Sequence, residues 1–392
     1  MKSKLHILIF IIFLKLFFAV CAISASNINI RIYSDNYINS VKILRNSGKY
    51  SVLHNNNELL SLDSIQVLEF KTENDKIKLL CDDREIGIFD SLRLQGKSFV
   101  NSLKININNN SNARVYDDNL ILKPKKNYLV LINNIDIEKY ISGVVEAESG
   151  GNTFSIEFFK MQAIICRTYA LKNMRKHSKE AYNLCDMEHC QVYKGKARVN
   201  DIFIAVSNTN NQVIINSNNE IINAAFHANC GGETVNSEDV WSNALPYLRS
   251  VHDTFCLKKN KAKWEKSIPL NEFKDYFLSK CKYDSIEKIF VDSMLVFRQD
   301  KRKVFFYDTL HLKQLRKDFN LRSTFFSIVL EGDSVKFVGR GNGHGAGLCQ
   351  EGAIAMAELG KTCEQIIKFY YTNVEIVDYH QSKDYLFPYK KK

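Results

Sequence analysis

The 392-residue chain is poor in the two residues that punctuate backbone, with four prolines and seventeen glycines. That scarcity excludes collagen-like repeats and Pro-rich linkers. A phosphate loop ending in Gly-Lys-[Ser/Thr] is missing. The one glycine-dense stretch, Gly339 to Gly347, does not open a βαβ unit with a ribose-binding acid, so nucleotide binding is disfavoured. Basic residues are spread along the chain and form no dedicated arm, which argues against nucleic acid as the partner. Beyond the amino terminus, no segment approaches the ~20 apolar residues of a membrane span.

What is present is globular in composition. Hydrophobic residues make up 45 % and charged residues 25 %, and the length is enough to bury a core without staples. At ~150 residues per domain the chain suggests two or three domains. Lys and Arg outnumber Asp and Glu by 54 to 43, a net charge of +11, which favours an acidic partner such as an anionic polymer.

The first residues read as a secretory leader. Lys2 and Lys4 precede an apolar run from Leu5 to Ile23, broken only by His6 and Lys15, and Ala22, Ser24, Ala25 and Ser26 supply a small-residue exit. Residues 1–26 are therefore expected to be a signal peptide and the mature protein to be exported, periplasmic or envelope-bound. An uncleaved membrane anchor is the alternative. Val20 is bulky where a lipoprotein site before Cys21 needs a small residue. Of ten cysteines, Cys21 falls in the leader, and the remaining nine leave at least one unpaired or engaged by metal.

Residues 27–105 alternate short apolar runs with Asn, Asp, Gly and Lys turns, as in Ile28 to Tyr33, and read as a β-rich accessory region. Residues 106–378 begin in the same style, as in Asn127 to Ile132, then turn to mixed α/β material, and 379–392 form a basic tail. Ser155 and Glu157 open a helix expected to run to about Lys176. Its apolar residues surround it, so it should be buried, with Gln162 and Arg167 either paired or facing a cleft. Gln350 to Leu359 reads as a helix stopped by Gly360, and Thr362 with Gln365 as the capping box of another ending near Tyr371. The fold class is α+β: a β-rich amino-terminal part, then a mixed α/β domain.

Four constellations carry chemistry. In Gly143-Val-Val-Glu-Ala-Glu-Ser-Gly-Gly151, read as extended, Glu146 and Glu148 share one side. Such neighbours do not straddle a scissile glycosidic bond, so one would be an acid/base and the other structural. His177, Cys185, His189 and Cys190 offer four ligands suited to a closed, tetrahedral structural zinc; a Cys185–Cys190 disulfide is the alternative. Phe226 to Thr234 carries Cys230-Gly-Gly, and Trp241 and Tyr247 follow it as candidate sugar-stacking rings. Cys230 and Cys256 are candidates for a disulfide in an exported chain. The glycine loop can bring backbone and His344 close to a ligand, with Gln350 at the next helix start.

Three blocks together resemble the sporulation stage II protein D (SpoIID/LytB) family. They are Gly143-Val-Val-Glu-Ala-Glu148 with Met161 to Ala170; Cys230-Gly-Gly-Glu-Thr234 through Trp241; and Leu321-Arg-Ser-Thr-Phe325 with Gly341-Asn-Gly-His-Gly-Ala-Gly-Leu-Cys-Gln350 through Thr372. The resemblance covers about residues 110–378. It implies a peptidoglycan lytic transglycosylase, which cleaves the MurNAc–GlcNAc bond without water and leaves a 1,6-anhydro-MurNAc end. The matching catalytic residue is Glu148, and a buried helix follows it. Some members bind zinc through a set that His177, Cys185, His189 and Cys190 match in order. Gln162, Arg167, Tyr169, Tyr193, Trp241, His344 and Gln350 are the candidates for contact with glycan. The partners so implied are peptidoglycan glycan strands, with a cell-wall amidase as the partner of a non-catalytic alternative.

Overall fold

A computed structural model describes residues 27–63, 66–110, 112–151, 154–280, 295–306 and 310–386. Residues 1–26, expected to be a signal peptide, and the last residues of the basic tail lie outside them. The described residues divide into two compact units. The first takes in the chain up to Val144 together with Met174–Lys196; the second takes in Val145–Asn173 and everything from Ala197 on.

Twelve strands build the body of the first unit: β1 (Asn27–Ile32), β2 (Ser40–Ser47), β3 (Tyr50–His54), β4 (Asn57–Leu62), β5 (Val67–Glu73), β6 (Lys76–Cys81), β7 (Arg84–Phe89), β8 (Leu92–Gly96), β9 (Ser102–Ile107), β10 (Arg114–Asp117), β11 (Asn119–Lys125) and β12 (Tyr128–Asp136). Their order is β1-β12-β11-β8-β3-β4 in one sheet and β10-β9-β2-β5-β6-β7 in the other. A late two-residue strand, β13 (Leu184–Cys185), adds to the first sheet in parallel with β1. Asn and Asp are frequent because the hairpins need them. Asn55-Asn56, Asn74-Asp75, Asp82-Asp83 and Lys126-Asn127 each hold positive φ at both turn positions, the backbone that two-residue hairpins require and that Asn and Asp tolerate best. Alternate residues are buried, among them Ile28, Ile30, Ile32, Val41, Ile43, Leu68, Phe70, Leu120 and Leu122.

This unit does not end at residue 105. That position falls inside β9, which pairs with β2, while β12 pairs along the whole of β1. The accessory region of the sequence reading is thus one part of a larger β unit closed by long-range pairing.

Helix α1 (Ile137–Glu148) leaves β12 directly. Asp136 Oδ1 accepts the amides of Glu138 at 2.9 Å and Lys139 at 3.2 Å, and so satisfies two of the donors a helix start exposes. Ile137, Tyr140, Ile141, Val144 and Val145 follow helical spacing and are buried. The extended reading of this segment is therefore corrected to helix, and Glu146 and Glu148 lie about 200° apart around its axis.

In the second unit, α2 (Ile156–Lys172) starts as expected, with Ser155 Oγ accepting the Phe158 amide, and stops at Asn173. Its buried residues run from Phe158 to Ala170 on most sides. Around it pack α3 (Asn200–Asn208) and β14 (Gln212–Asn216). Further on come β15 (Phe226–His227), α4 (Ser237–Val240), β16 (Lys263–Pro269), α5 (Leu270–Lys280), β17 (Phe305–Phe306), β18 (Leu310–His311), α6 (Leu312–Asp318), β19 (Phe326–Glu331) and β20 (Ser334–Arg340). β16, β20 and β19 form an antiparallel sheet, and Trp264, Phe273, Phe277, Phe319, Phe326 and Phe337 share one core with it. The chain closes with β21 (Leu348–Cys349), α7 (Gln350–Glu358), α8 (Cys363–Tyr370), β22 (Val374–Asp378) and α9 (Lys383–Leu386). The capping box of Thr362 and Gln365 is present, and β22 pairs with β14. The α+β class and the buried helix after Glu148 are borne out. Among the described residues, no helix is long and apolar enough to cross a membrane.

Candidate functional site

Glu146 and Glu148 of α1 stand in different surroundings. Glu146 Oε2 accepts the backbone amides of Arg198 at 2.5 Å and Val199 at 3.1 Å, just ahead of α3. Glu148, at the last position of α1, is half-buried, and its charge raises the pKa of Cys166 on α2, where burial is the larger cause. Gln162 lies one turn before Cys166 and donates to its sulfur at 3.4 Å; its own Oε1 is buried with no hydrogen-bond partner among the described residues. Tyr371, also buried, feels the Cys166 thiol and donates to the Ala225 carbonyl at 2.7 Å.

Two of the expected glycan contacts belong to the interior instead. Tyr193 is wholly buried in the first unit; its hydroxyl donates to Asn133 Oδ1 at 3.0 Å and its ring packs on Tyr116 and Tyr140. A Cβ on Gly143 would come within 2.5 Å of that ring and 2.3 Å of the Gly195 carbonyl, which gives the motif glycine its packing role. Arg167 is 1 % exposed, and its Nη1 donates to the Gln212 carbonyl at 3.1 Å, bracing β14 against α2. A buried cation requires acceptors of this kind. Tyr169 and Gln350 are half-buried. Gln350 stands at the start of α7 with its Nε2 buried and unpartnered among the described residues.

The third and fourth sequence blocks meet. β15 and β21 pair in parallel, Phe226 with Leu348 and His227 with Cys349, and Asn229 bridges Asn342. Gly347, at φ 72°, has room for no Cβ: it would sit 2.1 Å from the Ala225 carbonyl oxygen. His344 Nε2 donates to the Phe226 carbonyl at 3.0 Å, while its Nδ1 accepts the Ala346 amide at 3.1 Å. Burial holds its imidazole neutral, with a pKa near 4. His227 lies beside it, ring centroids 5.4 Å apart, donating from Nδ1 to the Ala346 carbonyl. Burial, with His344 as the next cause, keeps it far below the usual range. Trp241 is 37 % exposed and tilts against His344 at 5.2 Å. Arg302, Lys313, Arg316 and Asp239 line a cavity with His344. The sequence reading missed His227 and these cations; the signal for His227 was its place two residues ahead of Asn229 within the Cys230 block.

In the first unit His177, Cys185, His189 and Cys190 converge. Cys190 Sγ lies 3.5 Å from His177 Nε2 and 3.7 Å from His189 Nδ1, and Cys185 Sγ lies 3.8 Å from His189 Nδ1. One atom from each of the four comes within 4.8 Å of all the others. Two sulfurs and two imidazole nitrogens at such separations fit a four-coordinate metal. The two thiols share a proton: the Cys190 thiol pulls Cys185 down to about 4 and is itself pushed up. Glu180 Oε1 stands 3.5 Å from His177 Nδ1, the orienting partner a ligating imidazole needs.

A model of the family described as Stage II sporulation protein matches residues 125–216. Stage II sporulation protein D of Bacillus subtilis is 32 % identical over 262 residues, 62 % of this chain and 75 % of that one. The chain belongs to the stage II sporulation protein D family. An uncharacterised protein of Brachyspira hyodysenteriae is 30 % identical over 277 residues, covering 69 % of this chain and 74 % of its own length. A Bacillus subtilis protein named Amidase enhancer is 25 % identical over 359 residues, 71 % of this chain and 49 % of that one. The family match straddles the two compact units, from β11 to β14.

Proposed function

We propose that this family member is an exported lytic transglycosylase of peptidoglycan glycan strands. The observation that carries the proposal is the division of labour on α1: Glu146 is committed to the Arg198 and Val199 amides, so the acid/base role falls to Glu148. One carboxylic acid suffices for this chemistry. It protonates the glycosidic oxygen as the bond breaks, then as carboxylate takes the proton of the sugar's 6-hydroxyl while that oxygen closes on the anomeric carbon. Proton balance is restored without water, and the product end is 1,6-anhydro-MurNAc. Glycan strands carry lactyl carboxylates, which the net charge of +11 and the cations beside His344 favour.

His177, Cys185, His189 and Cys190 would hold a zinc ion, whose four protein ligands make it structural. Export rests on the amino-terminal leader, and the mature chain is expected to start near Ala25 or Asn27. Mass spectrometry of the secreted protein tests that point, and intact Met1 on membrane-bound protein would favour an anchor.

The deciding experiment is muropeptide analysis of glycan treated with the purified protein. Anhydro ends that vanish in Glu148→Gln support the proposal. A second reading, a non-catalytic activator of a cell-wall amidase, draws on the similarity to an amidase enhancer. It is favoured if glycan stays intact while a co-incubated amidase accelerates.

A further inference from the structure

A second cluster of soft ligands lies in the second unit, apart from the histidine–cysteine quartet. Cys230, Asp253, Cys256 and Cys349 are all buried, and one ligand atom from each lies within 4.8 Å of the others. Cys230 Sγ is 3.4 Å from Cys256 Sγ and 3.2 Å from Asp253 Oδ2. A tetrahedral zinc with Zn–S near 2.3 Å separates its sulfurs by about 3.8 Å, whereas a disulfide needs about 2.05 Å. As it stands, all three thiols are free. A disulfide would also leave the third thiol and the carboxylate buried side by side with no common purpose.

The surroundings are those of a finished ligand set. Cys349 Sγ accepts the amides of Cys230 at 3.3 Å and Gly352 at 3.4 Å. Asp253 is gripped at both oxygens: Oδ1 accepts the Phe255 amide at 2.9 Å, and Oδ2 accepts the Tyr370 hydroxyl at 2.9 Å. These contacts orient first ligands as outer partners do in metal sites. The cluster would carry excess negative charge with metal bound, and a half-buried cation stands by. The Arg302 guanidinium donates to the carbonyls of Glu233 and Cys230, and its Nη1 has no hydrogen-bond partner among the described residues. Gly352 keeps the space open, since a Cβ there would lie 2.3 Å from Asp253 Oδ2.

We infer that Cys230, Asp253, Cys256 and Cys349 bind a second, structural zinc ion that ties the Cys230-Gly-Gly loop to the glycine loop bearing His344. On binding, the three sulfurs enter as thiolates and their protons leave to solvent. The metal would add a further tie to the two-residue pairing of β15 with β21 and to the Asn229–Asn342 and Val235–Ala346 bridges that already join the two loops. The inference is independent of the transglycosylase reading.

Metal content and thiol state test it on the full mature chain, purified with zinc and a mild reductant. The parent should carry two zinc ions, Cys190→Ser one and Cys349→Ser one. A Cys230–Cys256 disulfide does not need Cys349, so zinc content unchanged in Cys349→Ser, with a cross-linked Cys230–Cys256 peptide, would overturn the inference. One zinc in both parent and Cys190→Ser would support this site and remove the quartet. Should Cys349→Ser fail to fold, cobalt(II) loaded into Cys190→Ser decides. Intense thiolate-to-metal charge transfer is expected, and its absence would overturn the site.

Discussion

Glu146 and Arg198 lie 52 residues apart, yet the carboxylate of the one holds the backbone amide of the other at 2.5 Å, with Val199 alongside at 3.1 Å. The side chain of α1 thereby serves as the cap that α3 lacks, since Val199 cannot cap it with its own side chain. Glu146→Ala should cost about 1–2 kcal/mol of stability and leave glycan cleavage within a few-fold. Glu148→Gln should do the reverse, losing ~10²–10⁴-fold in rate with the melting temperature held. Thermal melts and anhydro-muropeptide yield, taken on both variants, check the pair. Inactive Glu146→Ala beside active Glu148→Gln would reverse the roles.

Acid should weaken the second unit. His344 titrates near 4 when folded and near 6.5 when unfolded, and burial depresses His227 too. Over that window the unfolded chain binds more protons, so stability present above pH 6.5 is lost as pH falls toward 4. His344 alone accounts for roughly 3 kcal/mol at the limit. Denaturant titrations at pH 7 and pH 5 should show the loss, and His344→Gln should flatten the slope.

Gly347→Ala should destabilise by about 2–4 kcal/mol, because it adds left-handed strain to a Cβ placed 2.1 Å from the Ala225 carbonyl oxygen. The check is chemical denaturation, with Gly360→Ala as a control: its φ is also positive but nothing lies within 4 Å, so it should cost about 1 kcal/mol.

Chelation should lower the melting temperature through the His177–Cys190 quartet. Zinc at ~100-fold above its dissociation constant adds about 2.7 kcal/mol, or roughly 5–10 °C for a unit of this size. Calorimetry with and without chelator measures it. Cys190→Ser should melt lower and lose that part of its response.

Helix α2 was legible because its signals are local: a Ser155 cap, an acidic first turn, and apolar residues on every side. The Thr362–Gln365 box was legible for the same reason. Helix α1 was not. Val144-Val145 beside Gly143 looks like strand, and only the Asp136 cap with the spacing of Tyr140, Ile141 and Val144 argues otherwise. Tyr193 was misplaced because an aromatic near functional residues in sequence says nothing of depth. The quartet was readable from a fourteen-residue window (His177 to Cys190), whereas Cys349 joins Cys230, Asp253 and Cys256 through the β15–β21 pairing across about 120 residues of chain.

The order of synthesis meets this topology awkwardly. The first unit takes its last piece, Met174–Lys196, only after the chain has already passed through α1 and α2. Strand β13 and the quartet complete an edge whose partner, β1, emerged some 150 residues earlier. Chains are made at about 5–20 residues per second, so β1 waits on the order of ten seconds with one side open, and an open strand edge invites pairing with other chains. A truncation ending at Val144 would make that wait permanent. Such fragments should therefore self-associate, as sedimentation against the full chain would show.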